Sequence, residues 1–190
     1  MSTQEQRASK PLAALTYLRV ALVPVVMALV LLESRVRHAD AIAAVLFAIA
    51  AISDFFDGFL ARRWRQTTTL GSFLDTTADK LLVSGVLLAL VAVGRASPWI
   101  AFVIIGRELL ILGLRGAVAA DGTVMKPSPW GKLKANAQFV AIFLAIVRSS
   151  SRLGPWYPDE YVMVLAAILT VVSAVEYLSR FSGVLFGRRA

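Results

Sequence analysis

The run 41–61, AIAAVLFAIAAISDFFDGFLA, decides the architecture. It is unbroken apolar sequence from Ala41 to Ile52 and has no Gly or Pro before Gly58, and it matches the roughly 20 residues that a helix needs to cross a bilayer core. A strand would end at about half that length. The same run carries two carboxylates, Asp54 and Asp57. An ionised carboxylate at the centre of a membrane helix costs at least about 2.5–3.5 kcal/mol, so such a residue is expected to have a function.

Outward from this run, the same length and apolarity recur at 12–32, 70–93, 99–120, 130–147 and 161–177, with Pro24 able to kink the first. The segments between them, 33–40, 62–69, 94–98, 121–129 and 148–159, hold most of the Gly, Pro and Ser outside the windows. Trp64, Trp99, Trp130 and Trp156 all fall at window ends, where an indole ring prefers the headgroup zone. Composition agrees: 58% of the 190 residues are hydrophobic and 17% are charged, where a soluble domain averages about a quarter charged. This excludes an ordinary water-soluble fold and a disordered chain, and the lack of Cys excludes a disulfide scaffold and a thiolate site. The expectation is an all-α integral membrane protein of six transmembrane helices, a single membrane-embedded domain over 1–190 with tails at 1–11 and 181–190.

A net charge of +8 would point to nucleic acid in a soluble protein; here it reads as topology, with no nucleic-acid partner. One side of the expected membrane holds 11 basic residues: Arg7, Lys10, Arg62, Arg63, Arg65, Lys126, Lys132, Lys134, Arg180, Arg188 and Arg189. The other holds 5: Arg35, Arg37, Arg95, Arg148 and Arg152. The positive-inside rule places the first side, with both termini, in the cytoplasm of a multi-pass inner or plasma membrane protein. The first window is too long for a signal peptide and lacks a following A-x-A site, so a retained helix is expected. His38 reads as a solvated loop residue, the tail 181–190 as an interfacial anchor, and the window 161–177 as merely apolar.

Six of the 12 acidic residues fall in or beside an apolar window: Asp54, Asp57, Asp75, Asp79, Glu108 and Glu176. Asp54 and Asp57 are spaced i, i+3 and Asp75 and Asp79 i, i+4, so each pair shares one helix face. The short segment between them is expected to fold the two helices into an antiparallel hairpin. Four converging carboxylates repel unless protonated or bridged by a cation. All-oxygen ligation favours a hard ion such as Mg²⁺ or Mn²⁺. The alternatives are pairing with Arg62, Arg63 or Lys80, or an ion path. Gly58, Ala61 and Gly71 stand beside the carboxylates and leave room for close approach of a flat group; with Arg62 they form a groove suited to a nucleotide diphosphate.

Read in full, the pattern is D-x2-D-G-x2-A-R-x8-G-x3-D-x3-D, from Asp54 to Asp79. It resembles the signature of the CDP-alcohol phosphotransferases at all eight fixed positions. That resemblance implies a six-helix membrane enzyme that transfers a phosphatidyl or similar group from a CDP-linked donor to an alcohol and releases CMP. It implies that Asp54, Asp57, Asp75 and Asp79 hold two divalent ions, that Asp79 also deprotonates the acceptor, and that Gly58, Ala61, Arg62 and Gly71 contact the CDP moiety. It also implies a homodimer.

Further stretches are similar to the phosphatidylglycerophosphate synthases of that family: Leu15-Thr16-Tyr17-Leu18-Arg19, Ala78-Asp79-Lys80-Leu81-Leu82-Val83, Gly106-Arg107-Glu108-Leu109, Gly113-Leu114-Arg115, and Gly131-Lys132-Leu133-Lys134 with Gln138. This likeness covers most of 11–140 and implies CDP-diacylglycerol as donor and sn-glycerol 3-phosphate as acceptor. Arg107, Arg115, Lys132 and Lys134 fit an anionic acceptor, because phosphate oxygens need cationic partners. Arg107 could instead pair with Glu108 or Glu176, and the other three could reach to lipid headgroups; Arg19 is open to either reading. Inositol phosphate, phosphatidylglycerol or serine as acceptor remain alternatives, as does a small cation transporter, against which no inverted repeat or broken helix is apparent.

Overall fold

The computed structural model describes residues 3–64, 69–120 and 129–185, with side chains for 16–53, 74, 76–119 and 129–180. These residues form six helices: α1 (Thr3–Leu31), α2 (Ala39–Trp64), α3 (Thr69–Ala92), α4 (Pro98–Ala120), α5 (Pro129–Val147) and α6 (Pro158–Leu185). No strand occurs among the described residues. The helices divide into two compact units, Met1–Arg95 and Ala96–Ala190.

Each expected window lies within a helix or overruns one by a residue, and the helices mostly extend further. α1 begins at Thr3, well before the apolar window, because TQEQRASK contains good helix formers and helical propensity does not require lipid. α4, α5 and α6 each open on a proline, Pro98, Pro129 and Pro158, which suits the first helical position: the missing N–H has no intrahelical partner there and φ is already set. α5 and the stretch Pro158–Arg180 of α6 are long and apolar enough to cross a membrane. α4 has comparable length but carries Arg107, Glu108 and Arg115 within it.

In the first unit α1 packs against both α2 and α3, whereas α2 and α3 touch each other far less among the described residues. Among the described residues α1 is therefore the shared packing partner of α2 and α3. The residues buried in this unit are Val23, Val26 and Val30 on α1, a strip of small residues on α2, Ala39, Ala43, Ala44 and Ala50 with Phe47 between them, and Leu82, Val86 and Leu90 on α3. α3 is closed just past its end by Gly94 (φ 71°), where Arg95 N–H donates to Leu90 O at 2.8 Å and Gly94 N–H to Val91 O at 3.1 Å. This Schellman closure satisfies two terminal carbonyls, and only a residue tolerant of positive φ completes it without strain. An ion pair at 2.6 Å from Arg95 to Glu33 ties the end of α3 to the segment after α1. His38 is exposed at φ 61° and accepts a bond from Arg37 Nε at 3.0 Å, as expected of a solvated loop residue.

In the second unit α6 packs against α4 and α5. Residues buried on α6 recur at 159, 163, 166, 170, 173 and 177, alternating steps of four and three, and those on α4 at 101, 104, 108, 111 and 118 follow the same rule. That spacing is a helix-packing seam. The segment joining α5 to α6 is fixed by Glu160, whose carboxylate accepts from Tyr157 N–H at 3.0 Å and from Arg148 at 2.9 Å. Arg148 and Arg152 lie over the Tyr157 ring at 3.9 and 5.0 Å.

In both units the buried set is rich in Ala, while large apolar side chains such as Ile52, Leu88, Phe102, Leu109, Ile168 and Val175 point outward. A water-soluble bundle does the reverse; close small-residue packing under an apolar exterior is the membrane arrangement. Gly85 shows how close α1 and α3 come, since a Cβ there would lie 2.8 Å from Val23 Cγ1 and 2.9 Å from Met27 Sδ. Gly85→Ala gains about 1 kcal/mol of helix propensity and loses about 1–3 kcal/mol to overpacking against a stiff β-branched neighbour. The net expectation is a lower thermal midpoint of the purified protein in detergent, with a larger drop for Gly85→Leu; an unchanged midpoint for both would refute the close contact.

Candidate functional site

The acidic half of the expected site lies on α2 and α3. Asp54, Asp57, Gly58, Ala61 and Arg62 fall in α2 and Gly71 and Asp75 in α3, but their side chains lie outside the described ones. Asp79 is described. It follows the buried Ala78 on α3 and is itself only 17% exposed. Its Oδ2 accepts from Lys80 Nζ at 2.8 Å, while its Oδ1 is buried with no hydrogen-bond partner. A buried carboxylate oxygen left unpaired costs of the order of 1–3 kcal/mol or more, which is the condition a bound cation relieves. The residue thus fits one ligand of a hard-ion site. The described side chains contain no group of three or more His, Cys, Asp or Glu able to hold a metal ion.

The basic half lies on α4 and α5 and is described in full. Glu108, 2% exposed, sits in the α4 seam and accepts a buried bond from Lys134 of α5, which is 3% exposed. Lys134 Nζ also donates to Gln138 Oε1 at 3.3 Å, Gln138 Nε2 donates to Thr170 Oγ1 at 2.9 Å, and Thr170 Oγ1 donates to Ala166 O at 2.6 Å. Arg107, 9% exposed, reaches Glu108 Oε1 at 3.4 Å and Ser173 Oγ at 2.7 Å, while its Nε is buried without a partner. Arg115 donates from Nε to Tyr177 Oη at 2.8 Å, and its guanidinium carbon lies 5.4 Å from that ring's centre.

The four basic residues therefore differ in kind. Lys134 is buried and its charge is matched by Glu108. Lys132, two residues earlier, is exposed on the first turn of α5. Arg107 pairs with Glu108 rather than Glu176, which pairs with Arg180 at 3.7 Å one turn along α6. Arg19, in the other unit, is 1% exposed on α1. Sequence reading missed the residues that hold these cations. α6 is not merely apolar: Thr170, Ser173 and Tyr177 are at most 2% exposed, and each bonds a side chain of the network. The signal was their spacing, since polar residues repeating at three and four in an apolar helix lie on one face.

Compared with known proteins, the chain matches the CDP-alcohol phosphatidyltransferase family over residues 13–172. It is 34% identical over 177 residues to the CDP-diacylglycerol-glycerol-3-phosphate 3-phosphatidyltransferase of Bacillus subtilis (strain 168), covering 87% of this chain and 92% of that one. It is 40% identical over 170 residues to a probable phosphatidylglycerophosphate synthase of Mycobacterium tuberculosis (strain ATCC 25618 / H37Rv), covering 87% and 78%. A third relative, the CDP-diacylglycerol-glycerol-3-phosphate 3-phosphatidyltransferase of Pectobacterium atrosepticum, is 39% identical over 177 residues, covering 87% and 91%.

Removing one partner of a buried ion pair strands the other charge. Glu108→Ala should therefore cost about 3–5 kcal/mol, read as a fall in unfolding midpoint in detergent. Combining Glu108→Leu with Lys134→Met should recover part of that loss, because the lysine charge is removed with its partner, while Arg107 still lacks the carboxylate. If the double variant is as unstable as the single one, the pair does not carry the stability assigned to it.

Proposed function

The chain belongs to the CDP-alcohol phosphatidyltransferase family, and from that premise we propose that it transfers the phosphatidyl group of CDP-diacylglycerol to sn-glycerol 3-phosphate. The products are phosphatidylglycerophosphate and CMP, which makes it a transferase of phospholipid biosynthesis. The observation that carries this reading is the joint one of a family match over 13–172 and relatives at 34–40% identity, two of them named for this donor and this acceptor. The basic network supports an anionic acceptor: Arg107, Arg115 and Lys134 stand near two carboxylates, Glu108 and Glu176, the second of which also pairs with Arg180, so positive charge is in surplus among its described residues. A phosphate monoester supplies the missing negative charge.

In the proposed reaction the acceptor hydroxyl attacks the β-phosphorus of the donor, the bond between that phosphorus and the bridging oxygen breaks, and CMP leaves with the electron pair. Asp79 takes the hydroxyl proton. Arg107 and Arg115, with Lys132 at the α5 entrance, hold the acceptor phosphate, and planar guanidinium groups suit phosphate oxygens. Asp54, Asp57, Asp75 and Asp79 would hold Mg²⁺ or Mn²⁺, which when bound neutralises diphosphate charge and stabilises the leaving group. Gly58, Ala61, Arg62 and Gly71 would contact the CDP moiety.

We further infer six membrane crossings, with termini and active site on the cytoplasmic side of the cell membrane, one domain over the whole chain, and a homodimer. Support for the crossings comes from the Ala-rich interiors under apolar exteriors and from the basic residues gathered on one side.

The test is CMP release from CDP-diacylglycerol by the purified protein in detergent. Release should require both glycerol 3-phosphate and Mg²⁺ or Mn²⁺ and should stop with EDTA. Asp79→Asn should lower turnover by about 10²–10⁴-fold, the usual contribution of a general base. Release with inositol phosphate, phosphatidylglycerol or serine but none with glycerol 3-phosphate would overturn the acceptor, and ion flux in proteoliposomes without CMP release would overturn the chemistry.

A further inference from the structure

α6 contributes no residue to the proposed chemistry, yet it is where the cationic network is anchored. Arg107 and Arg115 lie two turns apart on α4, about 12 Å along its axis. Their partners Ser173 and Tyr177 lie one turn apart on α6, about 6 Å along its axis. The pairings run in the same chain order, Arg107 to Ser173 at 2.7 Å and Arg115 to Tyr177 at 2.8 Å. Both guanidinium groups are thus held by side chains of one turn of α6. Like charges brought together away from water repel, and the carboxylate of Glu176 on that turn is shared with Arg180, so this arrangement favours an anion that both arginines can reach.

The anchors also leave donors free. Ser173 takes one terminal N–H of Arg107 and Glu108 takes another, while Nε stays buried and unpartnered. Tyr177 engages Arg115 through Nε and the ring face, which leaves the outer edge of that guanidinium, with its two terminal nitrogens, for a ligand. Thr170, one turn before Ser173, fixes Gln138 and through it Lys134. Neutral hydroxyls can hold a guanidinium without cancelling its charge, which a carboxylate at the same place would do.

We propose that Ser173 and Tyr177, set side by side on the buried face of α6 against Arg107 and Arg115, are positioning residues for the acceptor phosphate. They act through the two arginines and touch neither substrate nor donor. This rests on the reading that Arg107 and Arg115 grip the acceptor phosphate, and the experiment separates the two claims.

Steady-state kinetics on the full chain in detergent, varying glycerol 3-phosphate and CDP-diacylglycerol in turn, compare wild type with Ser173→Ala, Ser173→Thr, Tyr177→Phe and Arg107→Ala. Ser173→Ala and Tyr177→Phe should each raise the KM for glycerol 3-phosphate about five- to tenfold, the net scale of one ordinary hydrogen bond, since each acts on the phosphate only through an arginine. The KM for the donor and kcat should stay within about twofold, and Ser173→Thr, which keeps the hydroxyl, should restore the acceptor KM. A merely structural role would lower kcat or move both KM values together, and either result overturns the proposal. If Arg107→Ala raises the acceptor KM while Ser173→Ala and Tyr177→Phe do not, the positioning role falls and the phosphate reading stands. If Arg107→Ala leaves it unchanged, both fall.

Discussion

A charge inside an apolar helix bundle must be matched where it stands, and in the second unit this requirement organises everything around Glu108. Its carboxylate accepts from Lys134 of α5 and from Arg107 of its own helix. Without it, two cations would sit in a low-dielectric interior with no counter-charge, at several kcal/mol each. With it, α4 and α5 are linked at one register. A buried ion pair of this sort adds little stability over an apolar pair of the same volume, and what it supplies is a specified arrangement. The polar bonds that follow, through Gln138 to Thr170 and through Arg107 to Ser173, extend that register to α6.

The packing seam explains why these bonds can form at all. On α6 the positions 159, 163, 166, 170, 173 and 177 face inward together, and Ala166 at the seam's midpoint keeps the helices close. Thr170 and Ser173 are nearly as small, so their hydroxyls enter the interface without opening a void. Tyr177 closes the row with a ring that covers Arg115 and a hydroxyl that accepts from it. The outer faces of the same helices carry Phe102, Leu109, Ile168 and Val175, which cost nothing against lipid tails. Polar inside and apolar outside is the reverse of a soluble bundle, and it lets one helix serve packing and site at once.

Much of this was legible in the sequence. Apolar length alone marked all six helices, because a run of about 20 apolar residues is longer than a turn or strand sustains. Charges inside apolar windows marked Asp79, Arg107, Glu108 and Arg115, because such residues are expensive to bury. The helix ends were less legible, as at α1, where polar but helix-forming residues continue past the apolar window. The pairing was not legible: Arg107 had Glu108 and Glu176 as equal candidates, and only packing decides that Glu176 turns to Arg180. α6 was misread for a related reason. A hydroxyl or a tyrosine in an apolar run carries no charge to mark it, and its importance lies in what the neighbouring helix brings to it.

Lys134 and the two arginines are held by different kinds of partner. All three are cations in or beside the seam, yet the lysine is bound to a carboxylate and the arginines chiefly to hydroxyls and a ring. An ammonium is a compact, strongly hydrated charge, so burial demands a full counter-charge; a guanidinium is delocalised and tolerates partial satisfaction by neutral acceptors. Lys134 is therefore committed to the fold, and its removal is felt as instability. Arg107 and Arg115 retain positive charge and unused donors while their positions are fixed. A site prepared for a multiply charged anion needs this combination, because donors held in place beforehand do not have to be ordered when the ligand arrives. The division of labour follows from the chemistry of the two side chains.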